Sequence, residues 1–131
     1  MPTVLNPYIS FRDNARQAME FYHSVFGGKL TVSTFKEFHV SQDPAEEAKL
    51  MHAMLVTEGG LTLMAADTPN SMEYKPGSSI SVSLSGDDLA ELKGYYDKLS
   101  SGGVVIEPLV QSPGGDTCGM GGDLCGLIGM V

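Results

Sequence analysis

Residues 4–35 read VLNPYISFRDNARQAMEFYHSVFGGKLTVSTF, and residues 79–106 repeat the same pattern as SISVSLSGDDLAELKGYYDKLSSGGVVI. Each stretch contains an alternating strand pattern, an Asp, an amphipathic helix with an aromatic pair, a Gly–Gly pair and a second strand. One repeat of this size is too small to bury its own sheet face, so the two copies are expected to pack together. The sequence therefore predicts two related modules and makes the chain a candidate ligand-pocket protein.

Each half predicts the order strand, helix, three strands. Asp13 is a predicted N-cap of the first helix and Gly27 ends it, whereas Asp87 or Asp88 caps the second. Strands are predicted at residues 4–11, 29–35, 51–57, 61–66, 79–84, 104–109, 117–120 and 127–131. A βαβββ order used twice predicts an α+β fold, in which the two modules form a curved mixed sheet with a cleft. The expected single domain consists of module one (1–66), a Pro- and Ser-rich linker (67–78) and module two (79–131).

Composition limits the partners of the chain. The 131 residues are 42% hydrophobic and 18% charged, which is typical of a globular protein, and the net charge is −8. No Lys/Arg cluster occurs, so nucleic acid and anionic membranes are not expected partners. The N-terminal sequence has no signal-peptide pattern and no apolar run approaches the length of a membrane span, so a cytoplasmic protein is expected.

The two cysteines, Cys118 and Cys125, are separated by six residues, which is not the spacing of a CxxC redox or zinc pair. In a cytoplasmic chain two reduced thiols are expected. A bridge formed on oxidation and an accidental soft-metal site are the alternatives.

The chain resembles the vicinal-oxygen-chelate superfamily, the glyoxalase, bleomycin-resistance and dioxygenase fold, and within it the PhnB-like branch. The resemblance covers almost the whole chain. It rests on Asn6-Pro7-Tyr8, Phe21-Tyr22, Phe26-Gly27-Gly28, His52-Ala53, Gly59-Gly60, Leu63-Met64, Gly102-Gly103, Gly115-Asp116 and Asp123 with Gly126. Some branch members are described as demethylubiquinone methyltransferases. The only glycine cluster here, GGDTCGMGG at 114–122, is not followed by a predicted helix, so no phosphate or adenosyl-methionine loop is expected.

The resemblance implies where a metal ion would lie. Metal-using relatives hold a divalent ion with His, Gln or Glu from four strands, and the matching positions here are Asn6, Met64, Ser81 and Met130. None of these is a strong ligand for a hard divalent metal, and two are thioethers. We therefore expect no family-type metal site and no cofactor.

Two classes of function follow from the resemblance. The first is a metal-free protein that binds a small, partly apolar molecule in the cleft of the fold. The second is a metal-dependent lyase or dioxygenase with a displaced metal site, centred on His52. For His52 a role as acid/base or ligand hydrogen-bonder is one interpretation, and a hydrogen-bonded structural role is the other. A homodimer is expected, because half-sheets leave edges and an apolar face to cover. The candidate ligand-binding residues are Asn6, Tyr8, His52, Met64, Ser81, Asp116 and Met130.

Overall fold

The computed structural model describes residues 2–39, 43–77, 79–80, 82–86, 88–101, 104–111, 117–122 and 128–130. For Leu89 and for the residues from 104 onward it describes the backbone alone. The predicted features at Ser81, Asp87, Gly102–Gly103 and Asp116 lie outside the described residues. The chain divides into two compact units, residues 1–76 and residues 77–131.

The first unit contains four strands, one long helix and two short helical turns. Its elements are β1 (Tyr8–Phe11), α1 (Ala15–Phe26), β2 (Lys29–Thr34), α2 (Phe35–Phe38), a 3-10 turn (Pro44–Glu46), β3 (Leu50–Val56) and β4 (Thr62–Asp67). The second unit repeats the main elements as β5 (Val82–Ser83), α3 (Leu89–Ser100), β6 (Val104–Gln111), β7 (Thr117–Gly122) and β8 (Ile128–Met130). The predicted α+β architecture of paired βαβββ modules is confirmed.

The two sheets have the same topology. The first has the strand order β1-β4-β3-β2 and the second β5-β8-β7-β6. In each, the first strand is parallel to the last strand of its module, and the other pairs are antiparallel. Each module is therefore a mixed sheet whose first strand lies at one edge.

Strand β1 is shorter than predicted. It begins at Tyr8 rather than Val4, because Pro7 has no N–H to donate to a ladder. The Pro7 carbonyl nevertheless accepts a hydrogen bond from the Met64 N–H at 3.0 Å. Val4 and Leu5, ahead of the strand, are 68% and 99% exposed.

Helix α1 forms because its apolar residues recur on one side. Its buried residues are Ala15, Ala18, Met19, Tyr22 and Val25. The helix ends at Gly27, which has a φ of +70° as predicted for a glycine after the last turn. The next residue, Gly28, lies against β3 so closely that a Cβ there would overlap the Val56 carbonyl oxygen. The Gly–Gly pair of the repeat thus allows both the end of the helix and the close approach to β3.

The prediction that Asp13 caps α1 is wrong. Asp13 has a φ of +69°, and the residue at the N-cap position is Asn14, which makes no side-chain capping bond. The Ala15 N–H instead donates to Asp67 Oδ1 at 3.0 Å, and the Leu50 N–H donates to Asp67 Oδ2 at 2.9 Å. A buried carboxylate from the end of β4 therefore satisfies the first turn of α1 and the start of β3 together.

In the second module the predicted cap is confirmed. Asp88 Oδ1 accepts a hydrogen bond from the Glu91 N–H at 3.1 Å at the start of α3. Of the predicted core face, Tyr96 is buried at 9% exposure, whereas Leu92 and Leu99 are half-buried. Among the helices that the structure describes, none has the length and apolar character needed to cross a bilayer.

Candidate functional site

The sheet of the first module has one side that faces α1. Successive residues of a strand point to opposite faces, so alternate positions share a face. Asp67 identifies the helix side, because its carboxylate binds the first residue of α1. Alternate positions on that side are buried, including Ala53 and Leu55 in β3 and Ala65 in β4. The other side, which we call the open face, lies away from α1.

The open face brings together three of the predicted site residues. Tyr8 in β1 is the cross-strand partner of Met64 in β4, so the two share this face. His52 lies on the same face of β3, because its neighbour Ala53 is buried on the helix side. Tyr8 is 51% exposed, whereas His52 and Met64 are half-buried. These side chains are positioned by rigid strands and remain accessible.

The rings of Tyr8 and His52 lie next to each other. Their centroids are 5.8 Å apart and their planes are inclined by 36°. Strand β4 separates β1 from β3, so the rings meet above β4. Ala66, on that face of β4, has only a methyl group, which leaves room for the two rings. Within the part of the chain that the structure describes, neither side chain forms a hydrogen bond.

A fourth residue of the open face was not among the predicted site residues. Met54 in β3 is the cross-strand partner of Met64, and Thr31 in β2 is the partner of Met54. Tyr8, Met64, Met54 and Thr31 therefore form one row across all four strands. The signal in the sequence was the spacing of two between His52 and Met54, which places both on one face of a strand.

The described structure does not test whether the remaining predicted site residues lie on this face. Asn6 is half-buried and lies ahead of β1, outside the strand. Ser81 and Asp116 lie outside the described residues. Met130 ends β8, where its backbone pairs with Ser83 and Met120, and its side chain is not described. The roles of these four residues stay predictions.

A second polar cluster lies on the helix side and was missed from the sequence. Lys49 Nζ, whose side chain is 7% exposed, lies 2.8 Å from Asp13 Oδ1 and 3.7 Å from Glu46 Oε2. It also donates to Asn70 Oδ1 at 2.9 Å and to the Thr68 carbonyl at 3.3 Å. These contacts satisfy the buried ammonium group, as a buried charge requires. The cluster holds the loop after β4 against the start of α1 and leaves no donor directed at a ligand.

Comparison with known proteins identifies the family. The model of the glyoxalase/bleomycin resistance protein/dioxygenase superfamily matches residues 4–121. This chain belongs to that superfamily. A comparison with curated protein sequences finds no significant match.

Solved structures share the glyoxalase fold over nearly the whole chain. Protein PA1353 from Pseudomonas aeruginosa is 34% identical, with a TM-score of 0.82 over 99% of this chain and 96% of that chain. A PhnB protein from Bacillus cereus, a candidate 3-demethylubiquinone-9 3-methyltransferase, is 22% identical, with a TM-score of 0.72 over 98% and 97%. The fosfomycin resistance protein FosX from Listeria monocytogenes, in complex with Mn(II) and 1S,2S-dihydroxypropylphosphonic acid, is 11% identical, with a TM-score of 0.63 over 99% and 91%. The last two likenesses establish the fold alone.

Among the residues that the structure describes, those at the matched ligand positions do not fit the divalent metal ion that metal-using members of the superfamily hold. Of the positions matched to its ligands, Asn6 offers an amide and Met64 a thioether, neither of which competes well for a hard divalent ion. Within the described ranges, no three His, Cys, Asp or Glu side chains are grouped so as to hold a metal ion. On the strands of the open face, His52 is the single imidazole or carboxylate, because the carboxylate of Asp67 points to the helix side.

Proposed function

We propose that this protein binds a small, partly apolar molecule on the open face of its first module, without a divalent metal ion. The observation that carries the proposal is the convergence of Tyr8, His52 and Met64 on one sheet face, with the two rings 5.8 Å apart. Small-molecule sites combine apolar surface with a few placed polar groups. The thioethers provide the former, and the phenol and imidazole provide the latter.

The metal-free part of the proposal is supported by side-chain chemistry. A catalytic zinc or iron site uses three or more imidazole and carboxylate ligands. Here the strands of the open face supply His52 alone, and the resemblance to the superfamily implies that Met64 stands where metal-using relatives carry a ligand. The binding free energy is then expected to come from apolar contact and hydrogen bonds.

A second candidate function is metal-dependent lyase or dioxygenase chemistry with a displaced metal site. The observation that favours it is His52 itself, a half-buried imidazole on the face where a substrate would lie. FosX, which shares the fold, was crystallised with Mn(II) and a phosphonate diol. This candidate requires further ligands from residues that the structure does not describe.

One experiment separates the two candidates. The purified protein is assayed for bound metal and screened by thermal shift against a small-molecule library, with and without added Zn²⁺, Ni²⁺, Mn²⁺ or Fe²⁺. A binder present at 100 times its dissociation constant adds about 2.7 kcal/mol of stability. The proposal predicts shifts with apolar compounds that do not depend on metal. Stoichiometric metal, or binding only after metal is added, would favour the enzyme.

Substitution of His52 tests the location of the site. His52→Ala is expected to lower the free energy of unfolding by less than about 1 kcal/mol, because the side chain is half-buried on an open face. It is expected to weaken ligand binding severalfold. His23→Ala is the matched control, because His23 is exposed on α1, away from the open face, and its ring contacts the Gly28 carbonyl. Normal binding by folded His52→Ala would place the ligand elsewhere.

We also propose that the protein is a homodimer and that it is located in the cytoplasm. Val4 and Leu5 are exposed apolar residues ahead of β1, and β1 is an edge strand of its sheet. A second copy of the chain would cover the apolar residues and the strand edge. Light scattering at micromolar concentration tests the dimer, and a monomer there would contradict it. Cell fractionation tests the location.

A further inference from the structure

The open face carries two thioethers side by side. Met54 and Met64 are directly opposite each other in the antiparallel pair β3–β4, and both are half-buried. Side chains in such a pair have Cβ atoms about 4.5–5.5 Å apart. The two flexible chains therefore form one continuous apolar surface with sulfur atoms in it.

Aromatic groups border this surface at one end. Tyr8 is the cross-strand partner of Met64 on the side away from Met54, and its ring contacts that of His52. Sulfur interacts favourably with aromatic rings at about 5 Å, and the unbranched Met side chain adapts to the shape of a planar partner. A flat ring placed on the two thioethers would have its edge at the Tyr8 and His52 rings.

The charge of this face differs from that of the whole chain. The protein has a net charge of −8, yet the four strands of the first module contain a single carboxylate, Asp67, which points to the helix side. The only cationic side chain on these strands is Lys29 at the start of β2. The four strands of the first module therefore place no carboxylate on the open face that would repel an anionic group or pair with a cation.

From these three observations we infer that the ligand is a planar aromatic molecule bearing a neutral or acidic polar group. This inference rests on the proposed function and names its ligand class. The ring lies on Met54 and Met64, and the polar group lies toward the Tyr8 hydroxyl and the His52 imidazole. An aliphatic ligand of the same size would gain the apolar contact but not the sulfur–aromatic one.

The test compares two probes that share a carbon skeleton and a carboxylate, the planar aromatic 2-naphthoate and the saturated, non-planar decahydro-2-naphthoate. The wild-type protein is expected to bind 2-naphthoate about five- to tenfold more tightly by calorimetry. The double variant Met54→Leu/Met64→Leu keeps apolar volume but removes both sulfurs, so this preference is expected to fall to about twofold or less. Met72→Leu, in an exposed loop, is the matched control and keeps the preference.

The outcomes separate the ligand class from the binding function. Equal binding of the two probes by the wild-type protein would overturn the aromatic class and leave the binding function standing. A preference that survives in the double variant would overturn the placement of the ring on Met54 and Met64. Failure of both probes to bind also overturns the inference. The thermal-shift screen then decides separately whether the open face binds small molecules at all. Circular dichroism and the melting temperature of each variant establish that it is folded.

Discussion

Helices α1 and α3 occupy the same place in the two modules and have the same length of 12 residues, yet they are held differently. Five residues of α1 are buried, including Met19 and Tyr22. In α3 the buried residue among those described is Tyr96, and Leu92 is half-buried. The repeated sequence therefore sets the topology of both modules but not how firmly each helix is packed.

The two helices also differ in which residue accepts the hydrogen bonds of the first turn. Helix α1 uses Asp67, 52 residues away in the sequence, to accept the Ala15 N–H. Helix α3 uses its own Asp88 and adds surface pairs, Lys93 with Asp97 and Tyr95 with Glu91. The first turn of α1 is therefore held by a long-range contact, whereas among the described residues α3 is capped by its own segment.

The largest expected effect is in the core. Met19→Ala should lower the free energy of unfolding by about 2–5 kcal/mol, because Met19 is fully buried. Leu92→Ala, a change on the core face of α3, should cost only about 1–2 kcal/mol, because less apolar surface is removed. Urea denaturation measures both. Equal losses would show that the two helices are packed equally well.

The caps provide the next comparison. Asp67→Ala leaves two backbone N–H groups, of Ala15 and Leu50, without their buried acceptor, so a loss of about 2–4 kcal/mol is expected. Asp67→Asn keeps one oxygen acceptor and should lose less. Asp88→Ala removes an exposed local cap and should cost about 1 kcal/mol. If Asp67→Ala were as mild as Asp88→Ala, water would be replacing the carboxylate.

The sequence predicted the module order and three of the residues on the open face, but not the contacts between distant segments. Tyr8, His52 and Met64 were identified, because the resemblance to the superfamily matched them to positions near its site. Met54 was missed, since its role depends on the register that pairs it with Met64. The capping role of Asp67 was missed as well, because nothing near it in the sequence points to Ala15. Local patterns are visible in a sequence, whereas pairing across a sheet is decided by the packed core.

The smallest expected effect concerns the surface of α3. Tyr95 donates a hydrogen bond to Glu91 Oε1 at 3.0 Å. This bond, followed by partial burial and the negative charge of Glu91, raises the pKa of Tyr95 above its ordinary value of 10.0. A raised pKa in the folded state means that the contribution to stability is present below about pH 10 and is lost as the pH rises through the folded pKa.

Titration of the phenol tests whether this local contact exists. The ultraviolet absorbance of Tyr95 is obtained by subtracting the curve of Tyr95→Phe from that of the wild-type protein. Glu91→Ala should move the Tyr95 midpoint down toward 10.0, because both the acceptor and its charge are removed. Lys93→Ala, which breaks the pair with Asp97 on the same helix, should leave the midpoint closer to the wild-type value. A midpoint that is unchanged in Glu91→Ala would show that Tyr95 does not form the hydrogen bond with Glu91. The difference between the two helices would then rest on their caps and on the depth of their packing.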